Sequence, residues 1–95
     1  MKKLSKSEIV LRMSGIPGWR RRGQLIWRVF VFEDFVQALK FVQRVGQAAE
    51  KANHHPDIDV RWNKVRLALT THDAGGLTGL DFESAEKFSL IFSKK

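Results

Sequence analysis

His54, His55 and His72 are all the histidines of this chain, and one short segment holds them. Imidazole, with an unperturbed pKa of about 6.5, passes readily between acid and base near neutral pH. Carboxylates flank the segment, Glu50 before it and Asp81 after it. An acid that protonates a leaving oxygen, paired with a base that accepts a proton elsewhere on the substrate, is what an elimination or a tautomerisation needs.

Other chemistries fit these residues less well. Adjacent histidines point apart, whereas zinc ligands on a helix favour the i, i+4 spacing of H-E-x-x-H, so no metal site is expected. With no cysteine in the chain there is neither a disulfide nor a thiolate ligand. Gly75-Gly76 matches neither phosphate-binding glycine pattern, and no nucleophile elbow supports a serine triad. Taken as structure alone, His54-His55-Pro56 is a helix stop, with Pro56 holding His55 extended.

The elements that must position the histidines are legible on either side of them. Phe35, Ala38, Val42, Val45, Ala49 and Ala52 recur at spacings of three and four, the stripe of an amphipathic helix widened by Phe41. Asp34 is its expected N-cap, and Asn53, which tolerates the left-handed conformation, its stop. Glu50 lies at i−4 from His54, so the two are expected to meet on one helix face. Ile58, Val60 and Trp62 then alternate with polar residues, as do Val65, Leu67 and Leu69. We expect a hairpin turning at Asn63-Lys64, with Trp62 paired to Val65 and facing inward. That register sets His72 opposite His55 and brings all three imidazoles to one end of the sheet.

The rest of the chain supplies the other elements. Ser5 and Glu8 form a capping box for a helix over 6–14, with Leu4 stapled on Ile9. Residues 19–22 and 24–32 flank a turn at Gly23. Leu25, Trp27, Val29 and Val31 line one face of that second strand. Ile26, Arg28, Phe30 and Phe32 line the other, whose apolar character suggests cover by a helix or an interface. Thr78 and Asp81 form a second capping box, opening a helix with Phe82, Ala85, Ser89 and Phe92 on one face. The order α-ββ-α-ββ-α predicts an α+β fold, a four-stranded antiparallel sheet with three helices packed on one face.

Ninety-five residues and a hydrophobic fraction of 43% predict one globular domain over 1–95. No apolar run follows the basic N-terminus, so neither a signal peptide nor a membrane span is expected, and a cytoplasmic location is the default. The net charge of +7 comes from scattered residues, with clusters at Arg20–Arg22 and towards the two termini. Such clusters serve solubility, and basic composition alone does not define a nucleic-acid surface.

Several of these residues carry a resemblance. Pro17-Gly18-Trp19, Phe32-Glu33-Asp34-Phe35, Ala49-Glu50-Lys51, His54-His55-Pro56, Trp62-Asn63-Lys64-Val65, Thr70-Thr71-His72-Asp73 and Gly76-Leu77-Thr78 ahead of Asp81 span nearly the whole chain. In these segments the chain resembles the pterin-4a-carbinolamine dehydratases. The resemblance implies removal of water from a 4a-hydroxytetrahydropterin to give the quinonoid dihydropterin, without metal or organic cofactor. It implies His54, His55 and His72 as the catalytic residues, with Glu50 orienting a neighbour. Asn53, Pro56, Thr70, Thr71, Asp73 and Asp81 would border or hold the pterin. It further implies a homodimer or homotetramer, with sheets joined across subunits. Some relatives carry Asp at the position of Asn53, Arg at Leu80 and Tyr or Phe at Trp62, departures that leave every acid–base group in place. Mammalian members also act as dimerisation cofactors of a homeodomain transcription factor, and non-catalytic offshoots act in protein assembly, so a binding role is the alternative reading.

Overall fold

The computed structural model describes residues 2–94. The chain runs α1 (Lys6–Met13), β1 (Arg20–Arg22), β2 (Leu25–Val31), α2 (Phe35–Ala52), β3 (Asp57–Arg61), β4 (Lys64–Leu69), a short 3-10 turn (His72–Ala74) and α3 (Gly79–Ser93). The strands form one antiparallel sheet in the order β1-β2-β4-β3. This is the expected α+β order of three helices and four strands.

Local chemistry places each helix. Both capping boxes form: Ser5 with Glu8 opens α1, and Thr78 with Asp81 opens α3. Asp34 caps α2 by accepting from the Gln37 amide at 2.8 Å. Asn53 ends that helix in the left-handed conformation, φ 51° and ψ 41°. Among the described residues no helix is long and apolar enough to cross a membrane.

The core lies between the sheet and its helices. Ile26, Phe30 and Phe32 from the β2 segment, Val65, Leu67 and Leu69 from β4, Ile9, Ala38, Phe41, Val45 and Ala49 join one buried cluster with Phe82, Ala85 and Phe88 of α3. The apolar even-numbered face of β2 is therefore covered by helices. Phe30, Phe32, Phe41 and Phe92 pack with ring centroids 4.8–6.0 Å apart. Truncating such a ring to alanine costs about 3–5 kcal/mol. The odd-numbered face points away, leaving Val29 and Val31 exposed.

Three expectations need correction. The stripe on α2 is centred on Ala38, Phe41, Val45 and Ala49, while Phe35 and Ala52 are exposed at its two ends. A helix of this length rises about 27 Å, further than strands of five to seven residues extend, so its ends overrun the core. The β3–β4 turn is Trp62-Asn63, because Arg61 pairs with Lys64 rather than Trp62 with Val65. Trp62 accordingly does not face inward: it stands in the turn at φ 51° and is 68% exposed. Asn63 ties this turn to Phe32, which lies outside the hairpin. Its side-chain amide donates to the Phe32 carbonyl at 2.9 Å and its own carbonyl accepts from the Phe32 amide at 2.8 Å.

Candidate active site

Two chain reversals bring the histidines together. Asn53, in its left-handed turn, ends α2 and starts His54 and His55 toward β3; the His54 amide donates back to the Ala49 carbonyl at 3.1 Å. After β4, Thr71 and Gly76 exchange two backbone hydrogen bonds of 3.2 Å, which close the loop that carries His72. Glycine at position 76 leaves room for the Gln24 side chain. A Cβ there would lie 2.3 Å from Gln24 Oε1, the atom that accepts from the Leu77 amide at 2.8 Å. The meeting of the imidazoles therefore rests on these reversals and not on the expected opposition of His72 and His55.

Asn53, His54, His55, Thr70, Thr71, His72 and Asp73 line a single cleft of ≈ 240 Å³. His54 forms its inner wall, with a side chain 10% exposed. Its Nε2 lies 2.6 Å from Oδ1 of Asp81, which is fully buried. The other carboxylate oxygen of Asp81 accepts from the Thr71 hydroxyl at 2.8 Å and from the Thr78 amide at 2.9 Å. Every side of this buried anion is thus compensated, as burial of a charge demands. Because a carboxylate only accepts, Nε2 carries the proton and Nδ1 is the acceptor of the neutral ring.

The expected partner of His54 was Glu50, and here the structure differs. Glu50 Oε2 is hydrogen-bonded to Nε2 of His55, and both side chains are largely exposed. The i−4 relationship fails because the helix has already ended at Ala52, and the turn at Asn53 sends His54 towards α3 instead. His72 and Asp73 line the cleft and are exposed, Thr70 lines it half-buried, and Pro56, also half-buried, is not part of its lining. Asp81 is expected at the site as a flanking carboxylate and as the third residue of a capped helix, but neither signal pairs it with His54. Nothing local tied it to a histidine so far away in the chain.

Among the described residues no group of three or more His, Asp or Glu side chains has the geometry to hold a metal ion. What the cleft offers is proton transfer: one imidazole backed by a buried carboxylate, one by an exposed carboxylate, and one open to solvent.

An antiparallel sheet backed by helices and edged by such a cleft is an arrangement shared with a known class of α+β proteins. The chain belongs to the family described as pterin 4 alpha carbinolamine dehydratase, whose model matches residues 2–91. It is 53% identical over 91 residues to a protein of Acidobacterium capsulatum, with 96% of this chain and 99% of that one covered. With a protein of Thermomicrobium roseum it shares 45% identity over 93 residues, covering 98% and 100%. Both relatives are named "Putative pterin-4-alpha-carbinolamine dehydratase". A crystal structure from Brucella melitensis, described as a transcriptional coactivator/pterin dehydratase, superimposes with a TM-score of 0.91 at 34% identity, covering 95% of this chain and 98% of that one. A pterin dehydratase-like protein identified as a RuBisCO assembly factor in the alpha-carboxysome shares the fold alone, with a TM-score of 0.68 at 19% identity over 79% of this chain and 89% of that one.

Proposed function

We propose that this chain is a dehydratase that converts a 4a-hydroxytetrahydropterin, such as 4a-hydroxytetrahydrobiopterin, into the quinonoid dihydropterin. The observation that carries this reading is the seating of His54 on buried Asp81 in a cleft shared with His55 and His72. The reaction breaks the C4a–O bond and removes the N5 proton, leaving a C4a=N5 double bond and water. An acid must deliver a proton to the departing hydroxyl, and a base must take the one from N5.

His54 suits the base. Asp81 holds its Nε2–H, so Nδ1 is the nitrogen left for substrate, and the carboxylate stabilises the imidazolium once the proton arrives. His72, at the open lip, is then the acid and re-equilibrates with solvent after each turnover. His55, oriented by Glu50, contacts the pterin ring. Asn53, Thr70 and Asp73 hold the pterin edge, and Pro56 borders it. Thr71 and Asp81 act from beneath as positioning residues. Each positioned proton-transfer group contributes about 10² to 10⁴ in rate.

The enzyme is part of the same proposal as a cytoplasmic, single-unit homodimer or homotetramer. Exposed Val10, Leu11, Phe35, Val36 and Leu39 on the helices support self-association.

The test is the disappearance of 4a-carbinolamine, followed for the wild type and for His54→Ala, His55→Ala and His72→Ala. We expect rate enhancement by the wild type and losses in each variant, greatest for His54→Ala. A folded wild type no faster than the uncatalysed reaction sinks the enzyme reading and leaves a binding role, of the kind named for the Brucella protein.

A further inference from the structure

A second cavity, larger than the histidine cleft, lies elsewhere on the molecule. It measures ≈ 370 Å³ and lies at the other end of α3, where the loop after α1 passes over β2. Asp81 and Ser89 mark the two sites on one helix, about 12 Å apart at 1.5 Å per residue. Ile16, Pro17 and Leu90 give this second cavity apolar walls, and Arg28 and Ser89 give it a polar floor.

The floor holds an excess of donors. Ser89 Oγ accepts from Trp19 Nε1 at 2.9 Å and from Arg28 Nη1 at 3.1 Å. Indole and guanidinium can only donate, so the hydroxyl oxygen has both lone pairs engaged and its proton must point elsewhere. Among the described residues that proton has no acceptor. The guanidinium rests over the Phe30 and Phe92 rings, 4.4 and 5.3 Å from their centroids. It has also been drawn partly out of water, and burial pushes its pKa down. Yet among the described residues Arg28 belongs to no ion pair. Glu86 lines the cavity without reaching it. Any side chain at Gly18, where φ is 90°, would press on this guanidinium at 3.1 Å. The backbone there is shaped around the cation.

We infer that this cavity is a second ligand site, specific for a small organic carboxylate with an apolar body. Its carboxylate would accept from Arg28 and from the Ser89 hydroxyl, and its body would lie against Ile16, Pro17 and Leu90. A charged acceptor completes both unmet donors at once, which a neutral molecule of the same shape does less well. The site is independent of the pterin reading, since it shares no residue with the histidine cleft.

Trp19 makes the site observable. Its indole N–H donates directly to Ser89, so its proton–nitrogen resonance reports any ligand on that hydroxyl. Phenylacetate is the probe, with phenylacetamide and inorganic phosphate as controls, titrated into the full chain. We expect phenylacetate to shift the Trp19 signal saturably, and the amide and phosphate to do so only at far higher concentration. Arg28→Gln should weaken phenylacetate by roughly tenfold or more, the worth of one charge-assisted hydrogen bond. Glu86→Gln, an exposed change that leaves the fold intact, should tighten it by removing a competing carboxylate. Equal binding of the amide, equal binding of phosphate, or no tightening in Glu86→Gln would each overturn the inference.

Discussion

Nε2 of His54 sits 2.6 Å from Oδ1 of Asp81, an aspartate with no solvent exposure whose remaining oxygen is saturated by Thr71 and Thr78. One tautomer of His54 follows from this contact. Replacing Asp81 by Asn should reverse it. The new amide would donate to Nε2 and place the ring proton on Nδ1, where the base must be empty. We expect kcat for 4a-carbinolamine dehydration to fall by about 10² to 10⁴. Stability should fall as well, by about 1.5–3 kcal/mol, as charge-assisted hydrogen bonds are lost. Steady-state kinetics and urea unfolding of the same preparation check both; an unaltered kcat would remove His54 from the role of base.

Glu50 and His55 make the contrasting pair. Their side chains are 79% and 56% exposed, so solvent screens the interaction. Glu50→Gln should therefore change stability by no more than about 1 kcal/mol. Its expected effect is on substrate, because His55 loses its orienting partner: KM rises more than kcat falls. A large loss of melting temperature with unchanged KM would show that the pair serves the fold.

Trp62 occupies a left-handed turn position while 68% of its surface is in water. The conformation costs a non-glycine residue about 1–2 kcal/mol, and Asn bears it more easily. Trp62→Asn should raise stability by roughly 0.5–1 kcal/mol, since little burial is forfeited. Thermal unfolding decides this, and a lower midpoint would show that the indole contributes more through contact than its turn costs.

Glu8 provides a pH dependence. The backbone amide of Ser5, and then its hydroxyl, favour the ionised carboxyl and lower its pKa from the ordinary 4.5. A group depressed on folding stabilises the protein above its unfolded value, and that contribution is lost as pH falls through the folded value. The stability difference between wild type and Glu8→Gln should be present at neutral pH and vanish in acid below 4.5. Urea midpoints across that range measure it. A difference that grows on acidification would contradict the assignment.

How far the sequence disclosed this structure depended on the reach of the interaction. Ser5 with Glu8, Thr78 with Asp81, Asp34 and Asn53 are local devices, each readable within four residues, and all four form. The alternation of Val65, Leu67 and Leu69 was equally plain, because β4 is the strand between two neighbours and its inner face meets helices. The turn at Trp62-Asn63 was misplaced because what fixes it is Phe32, a residue far back in the chain. The same holds in the cleft. Among its lining residues the three histidines follow from type and spacing, and Asn53, Thr70, Thr71 and Asp73 from the family resemblance, but the pairing of His54 with Asp81 rather than Glu50 depends on where α3 packs, and no periodicity carries that information.

The β3–β4 ribbon has the histidine cleft at one end and its turn at the other, with five residues of β3 between. At 3.3 Å per residue that is about 16 Å of rigid ladder. A dye or a surface tether fixed at residue 62 would therefore stand well clear of arriving reactants. The ribbon would work as a handle, letting single molecules be held by one end while the cleft at the other stays open to the proposed substrate.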